Sequence, residues 1–176
     1  MTHTIIGLSG KKRSGKSTAA DIILDLMQGD SVRISLATPI KIDIQGLMGL
    51  PIDDKNKEII RPVLQTYGEA MKQLFGSDYW VKRADHTWRQ YAPFTTVMVC
   101  DDIRFPLEAE WIRSLGGIVV KINRPGFDDS SDHHVSETAI DSIKPDYIID
   151  NDSTQQQLKT NIVNMLKYAT NLRVTG

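Results

Sequence analysis

Two glycines, a run of cations and three hydroxyls lie within nine residues near the start of the chain: Gly10-Lys11-Lys12-Arg13-Ser14-Gly15-Lys16-Ser17-Thr18. Their spacing satisfies G-x-x-x-x-G-K-[ST] at every fixed position, a pattern suited to gripping a chain of phosphates. Gly10 and Gly15 permit backbone angles that turn successive amides inward into a nest for anionic oxygens. A helix starting at Lys16 would add the partial positive charge of its amino end. Lys16 would bring a full charge to the β- and γ-phosphates of a nucleoside triphosphate, and the Ser17 hydroxyl would hold Mg²⁺. The expected triphosphate-binding set is therefore Gly10, Lys11, Arg13, Ser14, Gly15, Lys16, Ser17 and Thr18.

A second chemical signal is the apolar run Val97-Met98-Val99-Cys100, which leads directly into Asp101-Asp102. A strand ending in carboxylates beside a phosphate loop is where a residue orienting Mg²⁺ or its water is expected. Successive strand side chains point to opposite faces, so Asp101 and Asp102 have different roles. Next come Asp102-Ile103-Arg104-Phe105 and, in the following helix, Glu108. The Arg104 guanidinium is suited to fork onto a phosphate. An Arg104–Glu108 pair on the first helical turn is the plainer alternative, and the two readings are compatible.

These residues need a scaffold that brings loop and strand ends together. Ile- and Val-rich runs at Thr4–Leu8, Val32–Leu36, Thr95–Cys100, Ile118–Ile122 and Tyr147–Ile149 read as five strands. Helical patterns occupy Lys16–Met27, Pro39–Met48, Lys57–Phe75, Tyr79–Tyr91, Pro106–Ser114 and Thr154–Tyr168. Apolar strands alternating with helices predict a three-layer α/β/α domain around a five-stranded parallel sheet. The nearly all-helical stretch 39–93 is too long for a plain crossover and reads as an insertion over the sheet's carboxyl edge. Arg124–Glu137, with Pro125, Gly126, Asp128, Asp129, Ser130 and Ser131, reads as a mobile lid. Both would flank the crevice where open α/β sheets take ligands.

Composition narrows the classes further. The 176 residues fit one domain, with 40% hydrophobic and 24% charged residues, enough for a packed core. Lys plus Arg total 21 against 22 Asp plus Glu, a balance unlike that of a bulk nucleic-acid binder. One cysteine, Cys100, excludes an internal disulfide framework and a Cys-rich zinc site. Residues 1–8 lack the layout of a secretory signal, and no apolar run reaches membrane-spanning length. A soluble cytoplasmic protein with no membrane partner is expected.

Taken in order, the motifs resemble the bacteriophage deoxynucleoside monophosphate kinases, a branch of the P-loop nucleotide kinases. The resemblance runs through the phosphate loop, Leu36-Ala37-Thr38-Pro39-Ile40-Lys41, Arg61-Pro62-Val63-Leu64-Gln65 with Gly68, and Gly76-Ser77-Asp78-Tyr79-Trp80. It continues through Asp102-Ile103-Arg104-Phe105-Pro106, Gly116-Gly117, Arg124, His134-Val135-Ser136-Glu137 and Asp150-Asn151. It implies transfer of the ATP γ-phosphoryl group to a deoxynucleoside monophosphate, with Mg²⁺ as cofactor and no polymeric nucleic acid as partner. A homodimer is left open. By resemblance Lys41, Arg61, Gln65 and Trp80 belong to the acceptor half of the crevice, Arg104 and Arg124 approach phosphates, and Asn151 lies near adenine. Lys16, Asp102, Arg104 and Arg124 are then the catalytic set, and Ser17, Asp101 and Asp102 the metal set. Leu107 stands where the family usually carries an amide, so a side-chain hydrogen bond is lost at that corner.

Some of these residues have plainer readings. Trp80 on a helix is as suited to the core as to stacking on a base, and Lys41 and Arg61 as suited to solvent as to a phosphate. His133 and His134 point apart on any regular element and lack partners for zinc. A kinase for another acceptor, such as dephospho-coenzyme A, shares the loop. A GTPase-like switch is disfavoured, because Asp43-Ile44-Gln45-Gly46 lies in a helical pattern and Asn56-Lys57-Glu58 lacks the aspartate of a guanine reader. A binding-only protein would take ATP without acceptor-dependent turnover.

Overall fold

A computed structural model describes residues 3–53, 55–126 and 139–171. The chain runs β1 (Thr4–Ser9), α1 (Lys16–Leu26), β2 (Ser31–Ile34), α2 (Ala37–Met48), α3 (Lys57–Phe75) and α4 (Tyr79–Tyr91). It continues through β3 (Val97–Ile103), α5 (Pro106–Ser114), β4 (Ile118–Asn123), β5 (Tyr147–Asp150) and α6 (Gln155–Asn171). Single 3-10 turns at Ala92–Phe94 and Ile140–Ser142 precede β3 and β5. The strands form one sheet in the order β2-β3-β1-β4-β5, with every neighbouring pair parallel.

Parallel strands need helical crossovers, and both sheet faces are covered accordingly. Ile6, Leu8, Val97, Val99, Val120 and Ile122 pack on one face against Ala19, Ile23, Ile162 and Met165 of α1 and α6. Met98, Cys100, Ile103 and Val119 pack on the other against Trp80, Ala84 and Trp88 of α4 and Ala109 and Ile112 of α5. Each fully buried Ile or Leu contributes about 1.5–3 kcal/mol relative to an exposed one. From β1 the chain moves toward the β2 edge, and from β3 it moves toward β4. The two connections diverge, leaving a crevice at the carboxyl ends of β1 and β3.

Among the boundaries that differ from expectation, two meet at Asp102. β3 was expected to stop at Cys100 but continues through Asp101 and Asp102 to Ile103, and α2 begins at Ala37 instead of Pro39. The Asp102 carboxylate accepts the Leu36 N–H (3.0 Å), the Ala37 N–H (2.9 Å) and the Ser35 hydroxyl (2.7 Å). It thus caps α2 from the neighbouring strand, a cap no local sequence pattern announces. Of the expected lid, only Arg124–Gly126 falls within the described residues; His133, His134, Ser136 and Glu137 lie outside them. No helix among the described residues is long and apolar enough to cross a membrane.

Candidate active site

The phosphate loop leaves β1 at Ser9 and enters α1 at Lys16. Gly10 (φ 142°) and Gly15 (φ 102°) both adopt angles that favour glycine. A side chain at Gly10 would come within 2.5 Å of the Ile122 carbonyl oxygen, and one at Gly15 would overlap the Asn151 amide. Gly15 is the N-cap of α1 and no side chain caps this end, so the orphan helix amides face the loop. The Lys16 ammonium donates to the carbonyls of Gly10 (2.5 Å) and Lys11 (2.7 Å). Ser17 and Thr18 are exposed at the helix start.

Ser14 carries the sharpest sign of a missing partner. It is only 4% exposed, and its hydroxyl has no hydrogen-bond partner among the described residues. A buried unpaired hydroxyl costs roughly 1–3 kcal/mol, so this atom is suited to an incoming acceptor oxygen. It borders a cavity of about 300 Å³ shared with Lys11, Lys121, Asn123, Arg124 and Asp141. Arg124 is exposed at the exit of β4 and donates to the Arg13 carbonyl (3.3 Å). Orphan hydroxyl, glycine cradle and uncapped helix end together fit a polyphosphate.

The two aspartates separate as strand alternation requires. Asp101 faces the α1 side and pairs with Arg33, which also binds Asp21 of α1 at 2.8 Å. Asp102 faces the other side, with both oxygens engaged: Oδ1 by Leu36 and, at 3.5 Å, the Cys100 thiol; Oδ2 by Ser35 and Ala37. A carboxylate offers about four lone-pair positions, and these are filled. The expectation of Asp102 as a metal ligand is therefore corrected: in this arrangement it anchors the β2–α2 junction. With Asp102 occupied, Ser17 and Asp101 remain the candidate ligands for a divalent cation.

A second group of cations lies on α3. Arg61, Gln65, Gly68 and Lys72 recur at helical spacing and form one stripe. Arg61 forks onto Glu58 at 3.0 and 2.6 Å, and this fork holds the Glu58 carboxyl below its usual value, with Lys12 and Lys57 adding to the pull. At the far end, the Lys72 ammonium lies 4.4 Å from the Phe105 ring centre. Lys72 shares this stripe with Arg61 and Gln65, a spacing already readable on the predicted helix.

Glu108 organises the turn carrying Arg104. It receives the backbone N–H groups of Arg104 (2.7 Å) and Phe105 (3.0 Å), a main-chain contact in place of the expected side-chain pair. Burial pushes the Glu108 carboxyl up to about 7; the Asp102 charge adds to the rise, while those amides and Lys72 oppose it.

Trp80 is a correction. Only 5% exposed, it donates its indole N–H to the Gly68 carbonyl (2.9 Å) and packs among Tyr67 and Tyr79, leaving no face for a base. Lys41 is exposed on α2, and no described contact ties it to the crevice. Asp43 binds Tyr67 (3.1 Å) and Arg83 (2.6 Å) inside the helical insertion, a tie between α2, α3 and α4. Asn151 donates to the Ser14 carbonyl from behind the loop (2.9 Å).

The sequence profile of the deoxynucleotide monophosphate kinase family matches residues 4–58 and 42–162. The chain belongs to that family. A provisionally named deoxynucleotide monophosphate kinase of Acanthamoeba polyphaga mimivirus is 29% identical, with 96% of this chain and 98% of that one covered. The deoxynucleotide monophosphate kinase of Escherichia phage RB69 is 30% identical across 61% of this chain and 45% of its own length. In fold, this kinase is similar to thymidylate kinase from Candida albicans (TM-score 0.55, 15% identity, 97% and 93% coverage). It is similar too to shikimate kinase from Aquifex aeolicus (TM-score 0.52, 16% identity, 95% and 98% coverage). The family membership makes the chain a phosphotransferase acting on nucleotides.

Proposed function

We propose that this kinase transfers the γ-phosphoryl group of ATP to a deoxynucleoside monophosphate, yielding ADP and a deoxynucleoside diphosphate. The observation carrying this reading is the phosphate loop, where Gly10 and Gly15 take positive φ, the start of α1 has no side-chain cap and the Ser14 hydroxyl is buried without a partner among the described residues. That loop suits a polyphosphate donor, and Arg61 and Lys72 of α3 are the cations offered to the acceptor's phosphate.

Phosphoryl transfer depends on positioning and charge neutralisation. The loop amides, the Ser14 hydroxyl and Lys16 hold the triphosphate, with Lys16 leaving its carbonyl partners to meet the β- and γ-oxygens. Arg61 and Lys72 receive the acceptor phosphate, and Gln65 between them offers an amide. Arg104 and Arg124 approach the transferring group from the β3 and β4 ends. Ser17 and Asp101 would hold Mg²⁺, which would offset the phosphate charge.

The test is a panel of deoxynucleoside monophosphates, ribonucleoside monophosphates and dephospho-coenzyme A, assayed with ATP and Mg²⁺ for ADP formation. ADP should appear only with a deoxynucleoside monophosphate. Lys16→Ala should lower turnover at least ~100-fold, given the charge it supplies to the transition state. Normal turnover in that variant would remove the site assignment.

A further inference from the structure

Asn151 is the residue directly after β5, and its place is fixed from three sides. Its own N–H donates to the Asn123 carbonyl (2.7 Å), the Asn123 side chain binds Asp150 (2.7 Å), and Asn161 of α6 binds the Asp150 carbonyl (3.2 Å). From this braced position the Asn151 amide reaches across the end of β4 and donates to the Ser14 carbonyl at 2.9 Å. It also fills the space a side chain at residue 15 would need.

This contact sets the direction of a peptide plane. In a trans peptide the carbonyl and the following N–H point in opposite directions. Drawing the Ser14 carbonyl back toward Asn151 therefore turns the Gly15 N–H away from it. The donor amide of Asn151 is already committed, and committed to a backbone atom.

We propose that Asn151 is a positioning residue of the phosphate loop: its amide locks the Ser14–Gly15 peptide so that the Gly15 N–H is offered to a phosphate oxygen. This rests on the triphosphate site described above and assigns Asn151 to the polyphosphate instead of the adenine base. Its effect is then independent of the base. Gly15 is required twice over, by its positive φ and by the amide seated against its Cα.

Calorimetry on the full chain with Mg²⁺, using ATP and inorganic tripolyphosphate as separate titrants, tests this. Asn151→Ala should weaken both by the same factor, about tenfold for one lost hydrogen bond that orders a charged-ligand contact. The KM of the deoxynucleoside monophosphate should stay unchanged. The Gly15 amide resonance, shifted by tripolyphosphate in the natural protein, should lose most of that shift. Should the alanine variant fail to fold, Asn151→Ser, whose shorter arm cannot span to the Ser14 carbonyl, is expected to show the same equal loss. Weaker ATP binding with tripolyphosphate unaffected would overturn the proposal in favour of base contact, and so would no change in either. A failure of the kinase reading is distinguishable: the natural protein would bind tripolyphosphate yet form no ADP with any monophosphate.

Discussion

Ser14 is folded into the loop with its hydroxyl unpaired, so stability and affinity should respond to it in opposite directions. Ser14→Ala removes a buried polar atom that has no partner, and the ligand-free protein should melt at the same temperature or higher. ATP affinity should nevertheless fall roughly 10- to 150-fold, because a hydrogen bond to a charged oxygen contributes about 1.5–3 kcal/mol. Thermal melts and calorimetry on the same preparation check both signs. At this scale the sequence is most legible where chemistry dictates spacing: Gly10, Gly15, Lys16 and Ser17 identify themselves. It is least legible for Asp101 and Asp102, whose adjacency reveals two faces but not which carboxylate is already taken by Arg33 or by the α2 amides.

Among the elements, α5 and its lead-in turn concentrate the electrostatic tension of the site. Glu108 gathers the Arg104 and Phe105 amides while facing the Asp102 charge, and its carboxyl rises to about 7. A carboxyl raised in the folded state binds protons more readily there than in the unfolded chain. Its charged form therefore costs folding energy, absent below about pH 4.5, growing as pH rises toward 7 and constant above. Glu108→Gln retains an oxygen for the two amides but cannot ionise. Urea melts should show the natural protein losing stability relative to Glu108→Gln between pH 5 and pH 8, by at most ~3 kcal/mol. A constant difference across that range would contradict the assignment. The alternation of strands and helices was readable from Ile/Val runs and 3.6-residue spacing. The first turn of α2 was not, because its cap arrives from Asp102 on another strand, 65 residues away along the chain.

For the molecule as a whole, the division between core and crevice decides what each aromatic residue does. Trp80 carries the resemblance motif Gly76-Ser77-Asp78-Tyr79-Trp80, yet three helices close over it. Trp80→Phe should cost about 1–2 kcal/mol through the lost bond to the Gly68 carbonyl, lowering the melting temperature by roughly 2–8 °C. The acceptor KM should remain within about twofold. A large rise in that KM with unchanged melting would return Trp80 to the acceptor site. The sequence could not distinguish these cases, since a tryptophan on an amphipathic helix reads alike whether its neighbours are side chains or a base. Only the packing of α3 through Gly68 separates them.

Four cations of the proposed site rest on stand-ins made by the chain itself. Lys16 leans on two loop carbonyls, Arg61 on Glu58, Lys72 on Glu69 and Arg124 on the Arg13 carbonyl. Substrate arrival is therefore an exchange of partners and not a filling of bare charge. An isolated orthophosphate trades one such stand-in for itself with little net gain. A donor and an acceptor arriving together release several at once. The proposed site should therefore respond weakly to free inorganic phosphate and strongly to the two nucleotides together.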